Sequence, residues 1–582
     1  MNKILPNLYY QVSMNNPELH LFQVSFTIDN WDQEELDLRM PVWTPGSYLV
    51  REYARHLQSF EAINGEADEP LSWQKVSKNH WRIDTEKTKN IVIHYEIYAN
   101  ELTVRTNHLD ATHGYFNGAA LFFYIPEYQN IPITISVIPP HPDWQVTTSL
   151  LKISNHIFSA DCFDTLVDSP FEIGTQEIEN FVAGDKPHQW VIWGKGNVDK
   201  NKIIKDTKAI IEKEAELFGD LPYEDYFFLL HLSASGFGGL EHKNCCVLNY
   251  PRFGFRNKDK YNRFMQLVAH EFFHLWNVKR IRPKGLENFD YDQENYTSSL
   301  WFCEGVTSYY DMLIPYRAKV YDRKFLFELI SKDISQYLAT PGRNIQPLRE
   351  SSFDAWIKLY RREAYSNNNQ ISYYLKGQFI ALCLDLLIRK NTEGEKSLDD
   401  VMAEMWVRFG VDEIGYTETE LKEVIEEFAQ EDLTTFWELY LNDTQELPFN
   451  DYLKPFGLIL EAKKDKKAPP FLGITLEKDG CLEKISFVDR TSPAAQVGIE
   501  AGDELLAIDG FRVTGDTLRE RLQDYQPNDV IALTVFHQEE LKTFHVTLGE
   551  VVPASYQLKV MGEQSKSQKE LFDNWLALEE DE

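Results

Sequence analysis

The chain has 582 residues, 43% of them hydrophobic and 13% aromatic, too many for one core and apolar enough to fold throughout, so roughly three or four domains are expected. Its 59 basic side chains against 91 acidic ones leave a formal charge of −32, a field that repels nucleic acid and anionic lipid and argues against both as partners. The longest apolar run, 379–388, contains Asp385 and falls far short of the ~20 residues that cross a bilayer; no leader pattern opens the chain, and its six cysteines show no CxxC pair, so no membrane insertion and a cytoplasmic location are expected.

From Tyr9 to about residue 180 the sequence runs in short alternating stretches rich in Val, Ile, Thr and Tyr, broken by turn residues such as Asn64-Gly65 and Pro142-Asp143. That pattern predicts an N-terminal antiparallel β domain over 1–180. Within it, Pro41-Val42-Trp43-Thr44-Pro45-Gly46-Ser47-Tyr48 is too proline-rich for a strand interior and predicts a structured loop. After Gly194 the period changes: 202–217 predicts an amphipathic helix, 226–233 a strand, and a glycine-rich turn follows. Helices are expected to dominate 261–452, among them 296–310, 324–337, 373–389 and 418–429, giving a mostly helical domain over 181–462. The charged, proline-ended stretch 463–470 reads as a linker, and 471–548 returns to short strands, a module placed at 463–552. In the remaining tail, 553–582, Leu571, Phe572, Trp575, Leu576 and Leu578 fit a short docking helix or a frayed end. The fold class expected is multidomain α+β.

The helical segment holds His270-Glu271-Phe272-Phe273-His274. Two histidines four apart on one helix face offer both imidazoles to a single Zn²⁺, and the intervening Glu271 then lies where it can take a proton from water. The stretch 263–278 contains no Gly or Pro and has apolar residues at helical spacing, so one helix can carry both histidines. A third ligand is needed. Glu304, alone among the apolar and aromatic residues of Trp301-Phe302-Cys303-Glu304-Gly305-Val306, is the best candidate, because burying a carboxylate there is costly unless a cation compensates it.

These motifs carry a resemblance. His270 to His274 followed by Trp276-Asn277 and by Glu304-Gly305 resembles the gluzincin clan that includes aminopeptidase N. The loop 41–48 with Arg51 to His56, Gly238-Gly239-Leu240-Glu241-His242, and 276–283 resemble the glycyl aminopeptidase family, over nearly the whole chain. The resemblance implies a thermolysin-like, mostly helical catalytic domain and one Zn²⁺ held by His270, His274 and Glu304, with Glu271 as general base. It implies that Glu241, next to Gly238, Gly239 and His242, grips a substrate's free α-amine; a glycine-rich edge lets a peptide backbone approach closely. The aminopeptidase N form of that motif ends in Asn where this chain has His242. It also implies that Tyr374, three residues before Gly377, donates to the oxyanion, with Tyr373 as the alternative. Glu304 lies further from His274 than in aminopeptidase N, and the intervening 279–295 is expected to loop over the cleft, with Arg280 and Arg282 meeting a peptide carboxylate or solvent.

Phe471-Leu472-Gly473-Ile474, Ser492-Pro493-Ala494-Ala495, Ala501-Gly502-Asp503 and Ile508-Asp509-Gly510 resemble a PDZ domain. There, Leu472, Gly473 and Ile474 would receive a peptide C-terminus beside a groove helix at 517–522. The activity the resemblance implies is a zinc aminopeptidase acting on peptides with a free N-terminus and preferring small residues, Gly or Ala. The alternative is a catalytically weak zinc-fold scaffold whose PDZ module recruits peptide partners.

Overall fold

The structure, a computed structural model, describes residues 5–463, 465, 467–480 and 482–577; the features expected at Cys481 and Leu578 lie outside the described residues. The chain divides into two compact units. The first comprises Met1–Thr297, Ala318–Val320 and Met402–Thr417, and the second Ser298–Arg317, Tyr321–Val401 and Glu418–Glu582.

In the first unit an eight-stranded sheet is built on the ladder of Leu21–Asp29 with Asn90–Tyr98, antiparallel from Leu21↔Tyr98 to Asp29↔Asn90. Alternation along Leu21–Asp29 buries every second residue, from Phe22 to Ile28, in a core shared with Tyr10, Trp81 and Phe123. The sheet is not wholly antiparallel: Asn7–Ser13 pairs in parallel with Ile133–Ile138. Alternation reads the same for both directions, so the sequence pattern did not distinguish them.

A four-stranded sheet, His113–Phe116 with Phe171–Gly174 at its centre, is followed by a five-stranded one. In the latter, Lys186–Trp193, Tyr226–Ser233 and Cys245–Pro251 run parallel, and Gly238–Glu241 adds antiparallel at the edge. The crossover between its first two parallel strands is the helix Lys200–Phe218, started by the Asp199 side chain and ended by Gly219 in the left-handed conformation. The helix that carries the two histidines runs Lys258–Phe273, starting earlier and stopping earlier than the apolar pattern predicts. Asn257 caps its start, and past Phe273 the chain tightens into turns.

The second unit packs helices around Tyr373–Asn391, which is buried along nearly its whole length. A PDZ-type sheet ordered Ile474–Asp479, Leu482–Val488, Glu504–Ile508, Val530–His537 and Glu540–Thr547 closes over Leu472, Ile485, Leu505 and Ile531. It is inserted between the two strands of a ribbon, Leu458–Ala462 and Tyr556–Val560. The helix Lys566–Leu576 docks through Phe572, Trp575 and Leu576. Among the described residues no helix is long and apolar enough to cross a membrane.

Candidate active site

The amide of His274 donates to the carbonyl of His270 at 3.3 Å, so the two histidines are one α-turn apart although the helix is fraying. Their rings stand 4.7 Å apart, centroid to centroid, and nearly perpendicular. His274 Nδ1 lies 2.7 Å from the carbonyl oxygen of Asn277. A carbonyl only accepts, so the proton sits on Nδ1 and Nε2 carries the ring's lone pair. This fixed tautomer is what a zinc-ligating histidine requires.

The edge strand Gly238–Glu241 runs over this helix. Ligand atoms of Glu241, Glu271 and His274 lie within 4.8 Å of one another, all three residues buried. The backbone makes this packing possible. A Cβ on Gly239 would fall 2.1 Å from Glu271 Oε1, and one on Gly46, which sits at φ +82, would fall 2.4 Å from Glu241 Oε1. Arg105 holds the strand by donating from Nη2 to the Gly239 carbonyl at 3.0 Å. Glu241 Oε1 is buried with no hydrogen-bond partner among the described residues. Burial drives the Glu271 carboxyl well above its ordinary range; positive charge on His270 and His274 would lower it, and the nearby Glu241 carboxylate raises it further. Beside Glu241 lies a cavity of about 20 Å³ walled by Trp43, Gly46, Tyr48 and Phe289.

His242 does not share this site. Its Nδ1 lies 3.1 Å from Asp168 Oδ1, on a carboxylate that also accepts from Lys279 Nζ at 2.6 Å and from the Lys243 amide at 2.8 Å. Strand alternation sends neighbours to opposite faces, so Glu241 meets the histidine helix while His242 meets Asp168. Asp168, 74 residues earlier, carried no local signal. Arg280 and Arg282 are buried and structural: the first donates to the carbonyls of Leu275 and Pro222 at 2.9 and 2.8 Å, the second to Glu413 at 2.6 Å. Neither is solvated surface: Arg280 is engaged by backbone carbonyls and Arg282 by the Glu413 carboxylate.

In the second unit Glu304 is buried in a π-helical turn, Trp301–Val306, that runs directly into the helix Thr307–Arg317. Such turns recur where a side chain is re-aimed for function. Gly305 and Gly377 let this turn press on the helix Tyr373–Asn391, since a Cβ on Gly305 would fall 2.5 Å from the Gly377 Cα. The contact brings Glu304 next to Tyr374. Burial, then the Glu304 charge, hold the Tyr374 phenol well above its ordinary range, so it stays a donor. Tyr374 is partly exposed and bonds to Tyr360 through the hydroxyls at 3.0 Å; Tyr373 is fully buried.

In the PDZ-type module Leu472 faces the core, so only its backbone is left for a ligand. Gly473 takes φ +83, and its carbonyl accepts from the Asp489 amide at 2.9 Å. The strand Ile474–Asp479 is an edge of its sheet, beside the helix Gly515–Leu522.

Comparison with known proteins agrees with this layout. Residues 9–175 match the Peptidase M61 N-terminal domain, 263–380 the M61 glycyl aminopeptidase domain, and 470–548 a PDZ domain. The crystal structure of an aminopeptidase N family protein from Idiomarina loihiensis is similar over 98% of this chain and 100% of its own, with 30% identity and a TM-score of 0.92. An M1 zinc metallopeptidase from Deinococcus radiodurans is more distant, at 11% identity over 76% of this chain and 94% of its own, with a TM-score of 0.46. No curated protein sequence matches. Fold and site define a zinc metallopeptidase of the aminopeptidase type. The chain belongs to the M61 glycyl aminopeptidase family and carries a PDZ domain.

Proposed function

We propose that this enzyme removes a small residue, Gly or Ala, from peptides with a free N-terminus, using one Zn²⁺ held by His270, His274 and Glu304. The observation that carries the reading is the convergence of Glu241, Glu271 and His274, with one Glu241 oxygen buried and unpaired. Such an oxygen costs about 1–3 kcal/mol until a donor reaches it, and a substrate ammonium supplies that donor. When bound, zinc supplies Lewis acidity to the scissile carbonyl and makes a water molecule more acidic. Glu271, whose burial raises its basicity, accepts the proton from water and delivers it to the leaving amine. Tyr374 donates its hydroxyl proton in a hydrogen bond to the developing oxyanion. The cavity beside Glu241 is small, about 20 Å³, which supports a preference for a small first residue, Gly or Ala. At the PDZ-type module, a peptide C-terminus would add to the edge strand Ile474–Asp479, its carboxylate on the backbone of Leu472, Gly473 and Ile474.

The test compares Glu271→Gln and Glu241→Ala on glycyl and alanyl amides, free and N-acetylated. Glu271→Gln is expected to keep zinc and lose about 10²–10⁴-fold in kcat. Glu241→Ala is expected to raise KM for free amines only. Equal effects of Glu241→Ala on blocked substrates would remove it from amine recognition, and undiminished turnover by Glu271→Gln would overturn the mechanism.

A further inference from the structure

Away from the active site, the first unit holds a second group of metal-ligating side chains. Alternation and register assemble it: Tyr115 lies opposite both Glu172 and His108, and His113 is two residues before Tyr115, so one face of the four-stranded sheet presents His108, His113 and Glu172 together. The five-stranded sheet brings His231 against this face from the strand Tyr226–Ser233, with its strand neighbour Trp193 stacked on the His113 ring at 3.6 Å. Tyr115 meets His231 edge-on at 4.8 Å.

Ligand atoms of His113, Glu172 and His231 lie within 4.8 Å of one another. The three residues are 0%, 1% and 1% exposed, and the same inter-sheet layer continues into the apolar cluster of Val191, Leu229 and Leu240. His231 Nε2 lies 2.8 Å from Glu172 Oε2. That contact leaves His113 Nε2, His231 Nδ1 and Glu172 Oε1 buried without hydrogen-bond partners. A histidine–glutamate ion pair alone does not satisfy them, and each such atom costs about 1–3 kcal/mol.

We propose that His113, Glu172 and His231 bind a second divalent transition-metal ion, of the Zn²⁺ class, in a structural site that ties the N-terminal sheet to the five-stranded sheet. Two imidazoles and a carboxylate suit zinc, whose bonds to such donors are about 2.0–2.2 Å long. The outer ring nitrogen of His113, Nδ1, faces Asp110 Oδ1 at 3.8 Å and Thr112 Oγ1 at 3.5 Å, the carboxylate-behind-histidine arrangement that orients metal ligands. His108, with its ring 4.9 Å from that of His113, lies on the same sheet face, its Nε2 3.2 Å from Asp110 Oδ2. This ion would play no part in hydrolysis; its role is to join three buried side chains by coordination bonds.

The experiment is metal counting on the full chain, loaded with Zn²⁺ and desalted. Wild type is expected to hold two equivalents. The double variant His270→Ala/His274→Ala, which disables the hydrolytic site, is expected to keep one, whereas Glu172→Gln is expected to keep one together with hydrolysis. Co²⁺ titration of the His270→Ala/His274→Ala variant provides a second reading that does not depend on the folding of Glu172→Gln. Visible d–d bands saturating at one equivalent support the site. A single equivalent in wild type and none in the double variant, with no cobalt spectrum, would overturn it.

Discussion

Gly239 is the wall against which Glu271 is held: a methyl group at this position would lie 2.1 Å from the carboxylate oxygen. The backbone of Gly239 is not in the left-handed region, so the space, not the conformation, demands glycine. Gly239→Ala therefore displaces the general base without straining the strand. A misplacement of this size is expected to lower kcat by about 10²-fold, with zinc content and urea midpoint near wild type. Gly238→Ala is the control. Its Cβ would meet nothing nearer than 3.9 Å, but φ +143 disfavours a side chain, so stability falls while the turnover of folded enzyme holds.

The two candidate tyrosines are separated by their surroundings. Tyr374 is partly exposed and lies in the field of Glu304, whereas Tyr373 is fully buried with its hydroxyl 3.3 Å from that of Tyr360. Tyr374→Phe is expected to lower kcat by about 10²–10³-fold with KM little changed, the signature of a lost oxyanion donor. Tyr373→Phe is expected to change kcat less than tenfold. Steady-state kinetics on an alanyl amide distinguish them.

What was legible in the sequence followed from local periodicity. The spacing of His270 and His274 puts both on one helix face, and a lone carboxylate among aromatics singled out Glu304. The π-helical turn that carries Glu304 was not legible, because one extra residue per turn leaves no trace in so short an apolar run. Nor was the partner of His242, since Asp168 is separated from it by five strands and a helix and meets it only through tertiary packing. Arg280 and Arg282 misled for a related reason: composition marks arginine as a surface residue, whereas here their fixed fork of donors satisfies backbone carbonyls and Glu413 inside the unit. The cluster of His113, Glu172 and His231 spans 118 positions without a motif, and it is assembled by the register of one sheet and the packing of a second sheet against it.

Asp168 ties together the His242 ring, the Lys279 ammonium and the Lys243 backbone amide behind the amine site. Burial by itself would raise its carboxyl; the charge of Lys279 and the contact with His242 outweigh that and hold it well below the ordinary carboxylate range. A carboxyl depressed in the folded state contributes stability that is present above its unfolded pKa and lost as pH falls through the folded one. The contribution is therefore complete at neutral pH and fades below about pH 4. Asp168→Asn, which leaves Lys279 buried without its anion, is expected to cost about 3–5 kcal/mol at pH 7. The gap from wild type should narrow as the pH is lowered below 4, as read by the urea midpoint across pH.

Trp575 couples the C-terminal helix to the helix that bears Tyr374. Its indole nitrogen donates to the Tyr309 hydroxyl at 2.9 Å; that hydroxyl donates to Asp385 Oδ2 at 2.5 Å, and Arg389 donates to the other Asp385 oxygen at 3.0 Å. The indole is fully buried, so truncation removes both its packing and the donor at the head of this chain. Trp575→Ala is expected to cost about 3–5 kcal/mol, and Trp575→Phe, which keeps most of the ring but leaves Tyr309 without its donor, about 1–3 kcal/mol. Neither residue of the pair touches the hydrolytic groups. Both variants should therefore show a lowered urea midpoint with kcat unchanged at temperatures where the chain stays folded; a loss of kcat without a loss of midpoint would mean that the tail helix acts on Tyr374 rather than on stability.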